Sequence, residues 1–400
     1  MSQEIKDNDE LLLEQLANSE YKYGLEIRTI RLCKRILLFH HFSGDTEYNG
    51  LVKSLNFEYD TSIQIGFTFL KAISSYSYIK KPDGTYSSKK LPDIEFEYQK
   101  HEWNSEVKTI SRENLVHSPA GLDEPTYLFT DLFNEGLSGI LTEQGNGWYY
   151  KHNLGDGRFE QAKLISRKPS FSGLGNQLQL ADLDADGGKQ FVGYNNEPKG
   201  YFELSDDDEW QPFKNFVSLP NIDFLDPNAR MIDLNGDGIS DLLITEENVF
   251  TWYESIGRKG FNECSRVPVS FDEEKGPYLA FADLTQSIYL SDMSGDGLAD
   301  IVRIRNGEVC YWPNLGYGKF GSKITMDNSP TFDNPDAFNP SYIRLSDIDG
   351  SGTTDVIYLG KNKFSCWMNL SGNEFSLTPF EIAAFTDINN KSQVTVTDFI

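Results

Sequence analysis

DMSGDGLADIVRI, residues 292–304, places an aspartate before an apolar residue, turns through Ser-Gly-Asp-Gly, and runs on into Ile-Val-Arg-Ile. The same order recurs as DLNGDGISDLLI (233–244) and DIDGSGTTDVIYL (347–359), more weakly as DLDADGGKQFVGY (182–194), and in degenerate form as DLFNEGLSGIL (131–141). The leading aspartates are Asp131, Asp182, Asp233, Asp292, Asp347 and Asp398, at intervals of 51, 51, 59, 55 and 51 residues. After the apolar run comes an aromatic segment: WYYKHNLGDGRF (148–159), TWYESIGRKGF (251–261), CYWPNLGYGKF (310–320) and SCWMNLSGNEF (365–375). Each ends on a phenylalanine after a turn rich in glycine or asparagine.

Each unit therefore predicts a strand, an Asp/Gly loop, an apolar strand, a turn, an aromatic strand, a second turn and a closing strand. Units of 40 to 60 residues with about four short strands mark propeller blades, because one blade cannot bury both its faces and must stack on neighbours. The expected fold is all-β: a β-propeller over residues 126–400, with five visible blades and the start of a sixth at Asp398. On this reading the propeller is cut short at its C-terminal end. A linear β-solenoid is the alternative architecture, although its coils are usually much shorter than these units.

Before Tyr127 no repeat is visible. Leu51–Tyr59 and Ile94–Tyr98 alternate with period two, and Leu25–Phe39 and Gly66–Ile79 also suit strands. Lys81–Gly84 (KPDG) has the residues of a tight turn. Residues 21–125 are thus expected to form an antiparallel β module. Residues 1–20 are expected to be a flexible segment, with a short helix over Asp7–Asn18.

The net charge of −25 opposes binding to phosphate backbones and anionic membranes. No apolar run is long enough to span a bilayer, and Leu11–Leu13 is too short for the core of a signal peptide. Cys33, Cys264, Cys310 and Cys366 form no CxxC pair, and Cys310 and Cys366 fall at matching places in successive repeats, which would set them on separate sheets.

The Asp/Gly loops carry the main candidate chemistry. Oxygen-bearing side chains at positions 1, 3, 5 and 9, with glycine at 6, resemble the first nine positions of a calcium loop. The candidate ligands are Asp233, Asn235, Asp237 and Asp241 with the Ile239 carbonyl, then Asp292, Ser294, Asp296 and Asp300 with the Leu298 carbonyl. A third set is Asp347, Asp349, Ser351 and Asp355. Converging carboxylates repel unless a cation or backbone N–H groups neutralise them. The other reading is that each aspartate caps backbone N–H groups in a metal-free turn, and the bidentate Glu of an EF-hand at position 12 is absent.

Catalysis finds little support. His40 and His41 are consecutive on a strand, so one is expected in the core and one in solvent. No GxSxG, HExxH or P-loop pattern occurs, and the carboxylate pairs are explained by the repeat. Trp148, Trp252, Trp312 and Trp367 recur once per unit, which favours packing between sheets over stacking on sugars. No organic cofactor is expected.

Several stretches resemble the SpvB/TcdB family, whose repeats are of the FG-GAP/VCBS type: EIRTIRLCKRILLFHHF (26–42), GLSGILTEQGNGWYYKHNLGDGRF (136–159), SLPNIDF (218–224), residues 272–321 and RLSDIDGSGTTDVIYLG (344–360). The family comprises the B component of insecticidal toxin complexes and the N-terminal part of the SpvB virulence protein. The resemblance implies a non-enzymatic scaffold of a secreted bacterial toxin complex, held in the bacterial cytoplasm before release. Its propeller would dock on the pore-forming A component and gate passage of a toxic fragment, with the C component and its Rhs-type shell as further partners. An adhesive, calcium-stabilised propeller binding a glycan or surface protein is the second reading, and a glycan-degrading enzyme the third.

Overall fold

The computed structural model describes residues 18–22, 25–29, 31–44, 49–61, 68–99, 106, 108–116, 127–145, 147–165, 178–195, 198–205, 209–283, 287–383, 391 and 394–396. The expected helix over Asp7–Asn18 lies almost wholly outside these residues, and the sixth anchor, Asp398, lies outside them. Apart from short 3-10 turns, such as Gly257–Lys259 and Pro340–Tyr342, the regular structure among them is strand. Contacts separate two compact units, one built on Glu26–Asn104 and the other on Ser105–Asn369 with Asn373–Ile400.

In the first unit, β3 (Arg35–His40), β4 (Gly50–Asp60), β5 (Phe69–Lys80) and β6 (Tyr86–Lys90) pair in that order, and β7 (Ile94–Glu95) pairs with β5. β1 (Asn18–Lys22) and β2 (Leu25–Thr29) form a two-stranded sheet of their own. The stretch Leu25–Phe39 is thus two strands, β2 and β3, and Ile94–Tyr98 keeps only a two-residue strand. Lys81–Gly84 does turn: the Gly84 N–H donates to the Lys81 carbonyl at 2.9 Å, and Gly84 takes φ +82°, which glycine adopts without strain.

The second unit contains five four-stranded antiparallel sheets, each from one contiguous stretch of chain. Sheet I is Tyr127–Thr130, Gly139–Gln144, Gly147–Lys151 and Lys163–Ile165, and sheet II is Leu178–Ala181, Gln190–Gly193, Gly200–Glu203 and Lys214–Asn215. Sheet III is Ala229–Ile232, Asp241–Thr245, Val249–Ser255 and Phe261–Pro268. Sheet IV is Ile288–Ser291, Asp300–Arg305, Glu308–Trp312 and Ile324–Thr325, and sheet V is Ile343–Ser346, Asp355–Leu359, Lys363–Trp367 and Phe380–Ala383. Pairing inside each repeat is antiparallel, so the parallel coils of a β-solenoid are not formed.

The second strand of sheet IV reads Asp-Ile-Val-Arg-Ile-Arg because both faces of that sheet are covered. Ile301 lies directly opposite Trp312, and both join a core cluster with Leu243 and Trp252 of sheet III. One residue on, Val302 lies opposite Tyr311, and these join Val356, Tyr358 and Trp367 of sheet V. Leu141 and Trp148 of sheet I meet Phe191 and Phe202 of sheet II, and Val192 and Tyr201 of sheet II meet Leu242 of sheet III. Each sheet thus packs on the next in sequence, its strands alternating between two neighbours (period two,). Fully burying one such valine or leucine contributes about 1.5–3 kcal/mol. Trp148, Trp252, Trp312 and Trp367 are all buried in these clusters, as their recurrence implied. Cys310 faces sheet III, and Cys366 packs with Leu359 and Phe380, so they sit on separate sheets.

Candidate functional site: the aspartate and glycine loops

The loop joining the first two strands of each sheet begins with the anchor aspartate. In sheet III, Asp233 Oδ1 accepts from the Gly236 N–H at 2.7 Å and Oδ2 from the Gly238 N–H at 2.8 Å. Asp292 repeats this with Gly295 and Gly297, both at 2.7 Å, and Asp347 with Ser351 (3.1 Å) and Gly352 (2.9 Å). Asp182 accepts from Gly187, and Asp131 from Glu135 and Gly136. Glycines follow because the turn needs positive φ, for instance +81° at Gly236 and +83° at Gly238. The third and fifth positions cap further N–H groups. Asn235 Oδ1 accepts from Asp237, Asp237 Oδ1 from Ile239, Asp296 Oδ1 from Leu298, and Asp349 Oδ1 from Ser351. Ser294 is buried, its hydroxyl facing Asp292 at 3.5 Å.

The ninth-position aspartates turn inward. Asp241, Asp300 and Asp355 are essentially inaccessible to solvent. In each, one carboxylate oxygen accepts from the second residue of the loop: Leu234 (3.3 Å), Met293 (3.0 Å) and Ile348 (2.9 Å). The other accepts from the end of the aromatic strand: Ser255 (2.7 Å), Asn314 (2.8 Å) and Asn369 (2.7 Å). In sheet II, Gln190 fills the same role, its amide oxygen accepting from Leu183 at 2.8 Å. Burial pushes the Asp241 and Asp355 carboxyls up to about 7 against the pull of these N–H donors, with the loop carboxylates nearby adding to the rise. Asp300 rises well above the usual range for the same reason.

One loop brings three carboxylates together. Ligand oxygens of Asp347, Asp349 and Asp355 lie within 4.8 Å of one another, the one such group of acidic, histidine or cysteine side chains among the described residues. The sets at Asp233 and Asp292 carry the same residue types and make the same capping and inward bonds, but among the described residues only the Asp347 loop brings three carboxylates this close. Ser351, which takes the fifth acidic position in the third loop, bonds the Thr353 hydroxyl at 2.9 Å.

The five loops lie side by side. A Cβ on Gly187 would strike Asn134 of the first loop, and one on Gly238 would come within 3.0 Å of the Ala185 Cβ of the second. Gly236 approaches Leu298 of the fourth loop, and Gly295 approaches Thr353 of the fifth. A cleft of about 470 Å³ opens at the junction of sheets I and II, lined by Phe133, Asn134, Asp186, Lys189, Glu203 and Arg258. Arg258 pairs there with Asp184 (2.7 Å) and Glu203 (2.6 Å).

Reading by residue type missed the asparagines of the aromatic turns. Asn314 donates to the carbonyls of Asp233 and Ala299, and Asn369 to those of Met293 and Thr354. Their signal was present as the repeated Asn-Leu after the aromatic strand. His40 and His41 also differ from expectation. Both are exposed: His40 ends β3, an edge strand whose residues are all exposed, and His41 lies just past it.

The fold is that of an all-β protein of successive four-stranded antiparallel sheets with a row of Asp/Gly loops. Compared with known proteins, residues 2–42 match the family model described as Salmonella virulence plasmid 65kDa B protein. The mono(ADP-ribosyl)transferase SpvB of Salmonella typhimurium is 51% identical over 43 residues, 10% of this chain and 7% of that protein. A solved structure of the Photorhabdus luminescens Tc holotoxin pore is similar over 94% of this chain, with a TM-score of 0.72 and 28% identity. The TcdB2-TccC3 structure is similar over 93%, with a TM-score of 0.53 and 27% identity. The resemblance to the SpvB/TcdB family read in the sequence is borne out by these matches. The chain spans 17% and 18% of the two solved chains.

Proposed function

We propose that this chain is a non-catalytic docking and gating segment of a toxin-complex B component, and that its five sheets are propeller blades. The observation that carries this reading is the likeness to the Tc holotoxin pore structure, at 28% identity over 94% of the chain. The stacking of each sheet on its sequence neighbours supports the propeller, since blades bury both faces in this way. The partners on this reading are the pore-forming A component and the C component with its shell, and the complex is secreted. A pull-down tests the docking role, with the chain in its parent B component and a cognate A-component pore as bait. Retention supports the role, and a parent that assembles with its C component yet never retains the pore overturns it.

Calcium in the loops is a second element of the proposal, supported by the convergence of Asp347, Asp349 and Asp355. Its role there is structural, neutralising three carboxylates where the loop joins sheet V. No observation favours a glycan ligand over a protein partner.

A further inference from the structure

The cleft between sheets I and II lies where a later junction carries an inter-sheet tie. Asn314, bridged to Phe320, donates its side-chain amide to Asp233 in the preceding sheet. Leu204, bridged in the same way to Trp210, holds that place in sheet II and has no amide to offer. The space of about 470 Å³ opens against Leu204, with Leu132 and Phe133 on the side of sheet I. The polar groups lining it divide by whether they are already engaged. The carboxylates are: Glu203 pairs with Arg258 and Lys214, and Asp186 accepts from the Gly188 N–H at 2.9 Å with its other oxygen 3.8 Å from Arg258. The donors are not. Gln190 is only 2% exposed, and its amide oxygen is held by the Leu183 N–H. Its Nε2 lies beside Gly188 of the cleft wall, 3.9 Å from where a Cβ would stand, and donates to no group among the described residues. Lys189 and Ser205 line the cleft as well, and the ammonium and the hydroxyl proton likewise find no acceptor among the described residues. A buried donor left without a partner is costly. Sheets III to V avoid that cost, because aspartate holds the position of Gln190 and both its oxygens accept.

We propose that this cleft is a binding site for a carboxylate carried on a short apolar stem. The carboxylate takes the unfilled bonds of Gln190, Lys189 and Ser205, and the stem lies on Phe133 and Leu204. The chemistry follows from what is unfilled: the acids of the cleft already have cations, so an incoming cation would have to displace Arg258 or Lys214, whereas an incoming acceptor displaces nothing. One ammonium with two neutral donors suits a single negative charge. A doubly charged phosphate would lie against Asp186 and Glu203, and like charges at such range repel. The space also falls in the range of small-ligand pockets, about 300–1,000 Å³, which leaves room for a body beyond the carboxylate itself.

Titration of the full chain with butyrate, acetate and inorganic phosphate at constant ionic strength tests this, read by amide NMR at Gln190 and at the Ser205 backbone. Butyrate is expected to shift both signals saturably and to bind several-fold tighter than acetate, while phosphate leaves them in place. Gln190→Glu keeps the oxygen that holds Leu183 and copies the acid of sheets III to V, so the variant is expected to fold with an unchanged Tm. At the Ser205 signal, Gln190→Glu and Lys189→Met are each expected to weaken butyrate by about tenfold or more, the loss of one charge-assisted hydrogen bond. A capped tripeptide with glutamate at its centre separates the sources of such a group. Binding as tight as butyrate assigns the site to an acidic side chain of a partner chain, and binding of butyrate alone assigns it to a small free acid. No saturable shift with any carboxylate would overturn the proposal. So would phosphate binding tighter than butyrate, or butyrate affinity unchanged in both variants.

Discussion

The side-chain amide of Asn369, just past the aromatic strand of sheet V, donates at 2.9 Å to the carbonyl of Met293, in the loop of sheet IV. It donates to Thr354 of its own sheet at 3.1 Å as well, and its backbone N–H is held by Asp355. Asn314 does the same one sheet earlier, reaching back to Asp233 in sheet III. The strands bury apolar surface without direction, whereas these amides set the register of one sheet on the next. Replacing Asn369 by alanine leaves two buried carbonyls without a donor, at a cost of about 1–3 kcal/mol for a buried unpaired group. The urea midpoint of Asn369→Ala is expected to fall accordingly, and an unchanged midpoint would show that the amide is dispensable.

The inter-sheet fastening is unequal along the row. Sheets III to V are joined by Asn314 and Asn369, and also by the Tyr317 N–H on the Leu234 carbonyl and the Thr354 N–H on the Asp292 carbonyl. At the corresponding place in sheet II stands Leu204, which has no side-chain amide to reach back to sheet I, and the ninth position of the sheet I loop is Gly139. The cleft at the sheet I–II junction lies at this weaker end. Amide exchange is therefore expected to be faster in residues 139–151 than in residues 300–312, since local opening follows the least-fastened elements. Equal protection in both hairpins would contradict this ordering.

A pH dependence follows from the inward carboxylates. Asp241 and Asp355 sit near 7 when folded, against an unfolded value of about 3.9. The folded state thus holds protons that the unfolded state has released. Their contribution to stability is fully present below about pH 4 and is lost as pH rises through about 7. The urea midpoint is expected to be higher at pH 5 than at pH 8. Asp241→Asn and Asp355→Asn are expected to flatten that slope, since an amide can serve here as Gln190 does in sheet II. A slope unchanged in both variants would mean that other groups set it.

Repeat period, strand order and core tryptophans were all legible, because each repeat must present the same alternation to two neighbours. Asp300 and Asp296 were not distinguishable by type. A carboxylate at an alternate loop position has the same spacing whether it ligates a cation or, like Asp300, turns in to hold Met293 and Asn314. Exposure of His40 was hidden for a different reason. An edge strand with both faces open has the composition of a core strand, and RILLFH gives no sign of which neighbour it lacks.

Calcium is expected to act at one loop rather than three. In the loops of sheets III and IV, the first aspartate caps glycine N–H groups and the ninth is committed to two further N–H groups. In sheet V the same bonds exist, yet Asp347, Asp349 and Asp355 still converge. An ion there would offset their mutual repulsion, and binding at a hundred times its Kd would stabilise the fold by about 2.7 kcal/mol. Adding calcium is thus expected to raise Tm by several degrees. Asp349→Ala should abolish the rise, while Asp237→Ala and Asp296→Ala should retain it. If calcium leaves the Tm of the unsubstituted protein unchanged, all three loops are metal-free turns, and the carboxylates of sheet V are held by their N–H donors alone.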